Sequence, residues 1–169
     1  GTLILGAVNN FSGDVVLTQG TLQLGVAGAL PTGAPVNLGS GTTLNLAGFA
    51  ATLGKLEGSG NVALGAANLT ISQSSNSTFA GAISGSGGLA KSGGGVLTLT
   101  GTHTFTGATA ITGGQLRLNG SASSSAFTLS GGIFSGSATV GALTIASGGT
   151  LSPGNSPGTT TSLENNTWA

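Results

Sequence analysis

The sequence predicts an all-β fold, a parallel β-solenoid of short strands, and three observations carry the prediction. Apolar and polar residues alternate at period two in short runs, the pattern of strands with one buried face. Those runs recur at intervals of about 20 residues, the period of a coiled repeat. Glycine supplies 34 of the 169 residues and punctuates the runs, a density that would destabilise any helix. No stretch shows an apolar period of 3.6.

In chain order the alternating runs begin with Leu3/Leu5, Val15/Leu17, Leu22/Leu24 and Val36/Leu38. Leu44/Leu46, Val62/Leu64 and Leu69/Ile71 follow, then Leu97/Leu99, Leu116/Leu118, Phe127/Leu129 and Leu143/Ile145. Each reads as a strand of about three to five residues. Six apolar-x-apolar triplets, at Leu3, Leu22, Leu44, Val62, Leu97 and Leu116, form a series. Its first, second and last steps are each about 20 residues long. A sandwich or barrel needs longer strands and no such period. A propeller blade takes about 40 to 45 residues, so this chain would make only about four. A parallel β-helix takes one coil per step, each coil stacked about 4.8 Å above the last.

The expected architecture is therefore a right-handed, single-stranded parallel β-helix of about 7–8 coils of about 20 residues, spanning 1–169 as one segment. Its rod would be about 40 Å long, with interior columns of Leu, Val, Ile and Ala. Gly87-Gly88, Gly113-Gly114, Gly131-Gly132 and Gly148-Gly149 mark turns. The outer faces should be strips of Thr, Ser, Asn and Ala.

A longer repeat contains the shorter one. Gly1–Gly25 aligns without gaps on Gly95–Asn119, with nine of 25 positions identical. The matches include Leu3/Leu97, Leu5/Leu99, Phe11/Phe105, Gly13/Gly107, Gly20/Gly114, Leu22/Leu116 and Leu24/Leu118.

Composition excludes several function classes. Only 4% of residues are charged, against about 25% in ordinary soluble proteins. Three Lys/Arg balance three Asp/Glu; Lys55, Lys91 and Arg117 lie far apart in sequence, so no nucleic acid is expected as a partner. The apolar runs fall well short of the roughly 20 residues that span a bilayer, so no membrane insertion is expected. With no cysteine there is no disulfide framework and no thiolate metal site. The chain starts at Gly1 without an initiator methionine or signal peptide and reads as a piece of something longer.

The stretch Gly85–Gly120 closely resembles the passenger-associated transport repeat of bacterial autotransporters. That pattern opens Gly-Gly-Leu-x-Lys-x-Gly, continues with a Leu-x-Leu pair and an aromatic before Thr-Gly, and closes Gly-x-Leu-x-Leu. Here its positions are Gly87, Gly88, Leu89, Lys91, Gly93, Leu97, Leu99, Phe105, Thr106, Gly107, Gly114, Leu116 and Leu118. Gly148–Thr159 is similar to a segment found towards the carboxyl end of such passengers. The first copy, 1–25, lacks the Gly-Gly-Leu-x-Lys opening. The resemblance implies a right-handed β-helix on the outside of a Gram-negative cell, exported through an outer-membrane barrel of the same polypeptide beyond this chain. It implies a structural stalk that aids its own export and folding and presents an adhesive or effector region. Self-association, or a host-cell or matrix receptor, are the partners that follow. An adhesin is the alternative, and a polysaccharide-degrading enzyme a more distant one.

No catalytic, cofactor or metal site is expected. His103 is the only histidine; it takes the place of Asn9 in the repeat and reads as a solvated loop residue. The carboxylates are Asp14, Glu57 and Glu164. Asp14 and Glu57 would stand about two coils, or about 10 Å, apart, but the Asp, Lys and Arg that line a polysaccharide cleft are missing. Lys55 and Glu57 at i, i+2 read as an exposed ion pair. No carboxylate-rich turn is present to hold calcium. The run of alternate threonines from Thr98 to Thr106 resembles an ice-binding ladder only in part, since the first copy has Ile4, Gly6, Val8, Asn10 and Ser12 there. Phe11 and Phe105 read as core or turn-packing residues.

Overall fold

The alternation Thr-Leu-Gln-Leu at Thr21–Leu24 buries both leucines and leaves the other two residues half-buried, and the same two-faced pattern recurs at Val96–Leu99 and Gln115–Leu118. Such a strand has one apolar face and one polar face, and it is stable only when a neighbour covers the apolar side. The computed structural model describes residues 1–153 and the short strands Thr161–Ser162 and Thr167–Trp168. In it, the partner of each strand along the ladder is the strand one circuit later. Every strand pair among the described residues is parallel. The fold is a β-solenoid of about eight turns of about 19 residues.

The circuits lay down three faces. On the first, Leu3, Leu22, Leu44, Val62 and Ile83 stack in register. After a gap in the ladder, the face resumes with Ser121–Ala122 and Thr139–Val140. The second face stacks Leu53, Ile71, Lys91, Ile111, Leu129 and Ile145. The third stacks Leu17, Leu38, Gly58, Phe79, Leu99 and Leu118. There the ring of Phe79 sits between the small Gly58 and Leu99, so unequal neighbours share one column. The strand Ala51–Gly58 serves two faces, pairing through Ala51, Thr52 and Leu53 on one and through Gly58 on the other.

The stacking revises how the triplet series is read. Leu3, Leu22, Leu44 and Val62 lie on the first face, whereas Leu97 and Leu116 lie on the third. The two long repeat copies therefore begin on different faces. What each copy encodes is one closed circuit: Leu3 returns beside Leu22, and Leu97 beside Leu116. Any face asks for the same alternation, so the motif is indifferent to which one it starts on.

Of the two phenylalanines expected to pack in the core or at turns, Phe105 is buried, whereas Phe11 is 39% exposed. Phe105 has circuits stacked on both sides, while Phe11 belongs to the terminal circuit of the stack. With Leu3, Val15, Leu22 and Leu30 it lines an open apolar groove of about 210 Å³. The segment Gly148–Thr159 lies outside the described residues from position 154 onward.

Candidate functional site

Lys91 occupies an interior column and has no exposed surface. Its neighbours in register are Ile71 and Ile111, so its aliphatic stem continues the apolar column. At the corner between the second and third faces the ammonium turns to main-chain carbonyls. Nζ donates to Ser92 O at 2.7 Å, to Gly93 O at 3.0 Å and, at the limit of hydrogen bonding, to Gly113 O at 3.5 Å. Burial pulls its pKa below the ordinary 10.5. One circuit earlier the same corner holds Gln73, also fully buried. Its Nε2 donates to Ser75 O and Val96 O, and its Oε1 accepts from the Ser77 hydroxyl. Gln73 and Lys91 thus form a polar pillar that satisfies the carbonyls freed where the chain turns. The repeat motif marks Lys91 as a motif position without showing that it is buried. A signal for burial does exist in the sequence: Lys91 stands at i+2 from the apolar Leu89, on the same strand face.

His103 contradicts the expectation of a solvated loop residue. It is 2% exposed. Its main chain falls in line with the first-face column: Thr104 N donates to Ile83 O, and His103 N donates to Ser121 O. The ring therefore stands between Ile83 and Ala122, in the gap where the ladder is reduced to the single bridge Thr102 to Ser121. Nδ1 accepts from the Ile83 N–H at 3.2 Å, which assigns the proton to Nε2. Nε2 is buried without a partner. Burial lowers the pKa from 6.5 to about 4.

The remaining motif residues are placed as follows. Leu89, Leu97, Leu99, Phe105, Leu116 and Leu118 are buried, and Thr106 is exposed. At the corner before the second face, Gly87, Gly88 and Gly107 come together from successive circuits, and a Cβ at Gly107 would run into the Gly87 backbone. Gly114 has φ +62°, and a Cβ there would meet Lys91 Nζ as well as two carbonyls. Gly107→Ala should accordingly lower the urea midpoint by the equivalent of about 2 kcal/mol or more, because backbone cannot move aside as a flexible side chain can. A midpoint within error of the parent would mean that the two circuits can separate there without loss.

Among the described residues the exposed charges gather on the third face. Lys55 and Glu57 form the expected ion pair at 2.6 Å, with side chains 30% and 34% exposed. Asn37 Nδ2 adds a hydrogen bond to the other carboxylate oxygen. Arg117 lies on the same outer surface, in register with Thr98, which in turn pairs with Thr78. Asp14 immediately precedes the first strand of this face, Val15–Leu17. Of the three carboxylates, Glu164 lies outside the described residues. His103 faces the interior of the first face, so the structure does not bring it together with Asp14. The threonine run wraps from the third face at Thr98 to the first at Thr102, and forms no ladder on one face. Among the described residues no three of His, Cys, Asp and Glu come together as a metal site would require.

Comparison with known proteins finds related sequences over part of the chain. The family model of the passenger-associated-transport-repeat matches residues 1–24 and 89–118. The chain is 44% identical over 90 residues, 51% of its length, to the Adhesin BmaC autotransporter of Brucella suis biovar 1 (strain 1330). It spans about 2% of that adhesin's length. No solved structure matches the chain at a significant level. In its matched repeats and in the aligned 90 residues, the chain is similar to autotransporter passenger sequence.

Proposed function

We propose that this segment is a non-catalytic stalk within a longer passenger, 1–169 forming one continuous solenoid that assists its own export and folding and presents an adhesive region. The observation that carries the reading is the register: each strand finds its partner one circuit earlier, as Leu97 does with Ser77 and Leu116 with Leu97. A circuit that has emerged is thus the template for the next. Burying each new leucine contributes about 1.5–3 kcal/mol, a gain that favours outward movement without a nucleotide at the surface. In this reading the thirteen motif positions, from Gly87 to Leu118, are structural: apolar residues fill columns, glycines permit close circuits, and Lys91 closes a corner.

Changing Leu97, Leu99, Leu116 and Leu118 together to Asp in the full-length passenger should abolish its appearance at the cell surface, read by surface immunolabelling. Normal display of that variant overturns the export role. The adhesin reading draws support from the relative's name. Cell aggregation and host-cell binding with and without this segment separate a stalk from an adhesive element. The enzymatic reading has less support, since Glu57 is engaged by Lys55 and Asn37.

A further inference from the structure

In a chain with 4% charged residues, chance would scatter the charges around the rod. Instead Lys55, Glu57 and Arg117 share the third face, Asp14 stands at its first strand, and Lys91 is buried. Among the described residues the outer rows of the other two faces are neutral, for example Thr21, Gln23, Asn45 and Ala63 on the first and Thr70, Ala90, Ala110 and Thr128 on the second. The charged face is also concave. A groove of about 440 Å³ runs from Glu57 to Arg117 over a floor that includes Asn76, Thr78, Val96 and Thr98.

We propose that this groove docks an extended polypeptide lying along the solenoid axis, with an acidic side chain over Arg117 and a basic one over Glu57. The spacing follows from the ladder. The pairing of Gly58 with Phe79 sets Glu57 level with Thr78, Thr78 stands beside Thr98, and Thr98 beside Arg117. Three steps of about 4.8 Å separate the charges by about 14 Å, the reach of about four residues of extended chain. Between them, the threonine hydroxyls and the amide of Asn76 offer donors and acceptors to a peptide backbone. Asn76 Oδ1 already accepts from Val96 N, which holds the amide at the groove and leaves its NH₂ group as a donor for a ligand carbonyl. No aromatic ring lines the groove for a sugar face to stack on, and the concavity suits a narrow strand better than a second solenoid. Arg117 is the stronger anchor, because the Glu57 charge is already shared with Lys55.

The proposal rests on the surface-exposed passenger reading and names the face that would do the adhering. Its test is separate from the secretion assay above. The probes are synthetic Ser/Thr-rich peptides carrying Lys and Asp four residues apart, Lys and Asp two residues apart, or two Lys four residues apart, titrated into the purified 169-residue chain. The four-residue Lys/Asp peptide should bind about fivefold more tightly than the two-residue one, the gain expected of one added exposed ion pair, and should shift the amide resonances of Thr78 and Thr98. Arg117→Glu should transfer the preference to the Lys/Lys peptide, and Arg117→Gln should abolish the discrimination. Equal binding of all three peptides, or unchanged selectivity in Arg117→Glu, overturns the proposal. So does a concentration-dependent shift of Thr78 and Thr98 in the absence of peptide, with dimer mass in sedimentation, which would assign the face to a second copy.

Discussion

Acidification from pH 7 to pH 4 should cost the folded solenoid about 3 kcal/mol through His103. In the unfolded chain the imidazole titrates at its ordinary 6.5, whereas in the fold it holds out to about 4. Between those values the unfolded state binds a proton that the folded state refuses, so stability is complete above pH 6.5 and falls as the pH drops towards 4. The interval between the two values, at about 1.4 kcal/mol per pH unit, gives the quoted size. The geometry explains the resistance. A proton on Nδ1 would face the Ile83 N–H, which now donates to it, and the new charge would sit between Ile83 and Ala122 with Nε2 still unpartnered. Desolvation by burial is the cause of the lowered pKa. The facing residues Ile83 and Ala122 are apolar, as is Phe105, whose ring centroid is 6.4 Å from that of the imidazole. Urea titrations at intervals from pH 4 to 7 measure the slope. His103→Asn keeps a side-chain acceptor and removes the titration, so it should flatten the curve between pH 4 and 6.5. A parent protein as stable at pH 4.5 as at pH 7 would show that the ring reaches water or relaxes its surroundings.

The histidine also shows which parts of the molecule are legible in the sequence. Period-two alternation and a spacing of about 20 residues are enough for a parallel solenoid, because stacking in register leaves little else for short two-faced strands to do. The ion pair of Lys55 and Glu57 is legible for the same reason: i, i+2 on a strand is one face. The burial of His103 and Lys91 is hidden by their polarity, which on a two-faced strand ordinarily means exposure. Yet Ile83, His103 and Ala122 follow one another at steps of about 20 residues, the same steps that tie the leucine columns together. Applied to polar residues too, that rule places both side chains indoors. The gathering of charge on the third face is not legible. It depends on where each circuit turns, and the circuits are uneven: the one from Thr43 to Asn61 is shorter than the one from Thr21 to Thr43. A sum of such uneven steps cannot be read without knowing each corner.

Lys91→Met should destabilise the fold by about 1 kcal/mol, although methionine fills nearly the same volume and brings no charge into the core. Two effects compete. Removing the ammonium relieves the desolvation that lowers its pKa, and replacing buried ionic groups by apolar ones is often neutral or better when every partner is replaced with them. Here the partners stay behind. The carbonyls of Ser92 and Gly93 would lose a charge-assisted donor at 2.7 and 3.0 Å, and a hydrogen bond to a charged group contributes about 1.5–3 kcal/mol where water does not replace it. Gly93 is exposed and Ser92 half-buried, so water reaches the corner and takes over part of the donor's role, which keeps the loss small. Two lost charge-assisted hydrogen bonds, even partly replaced by water, outweigh one relieved charge, which sets the sign. Lys91→Arg is expected to fail as a substitute: its planar fork needs more room than the corner offers beside Gly114, where even a Cβ would meet the present ammonium. The urea midpoint and slope of both variants, taken at pH 7 where His103 is neutral, measure the effect. If Lys91→Met matched or exceeded the parent, the lysine would be a burden the column tolerates, and closing of the corner would have to be assigned to Gln73 and the glycines alone.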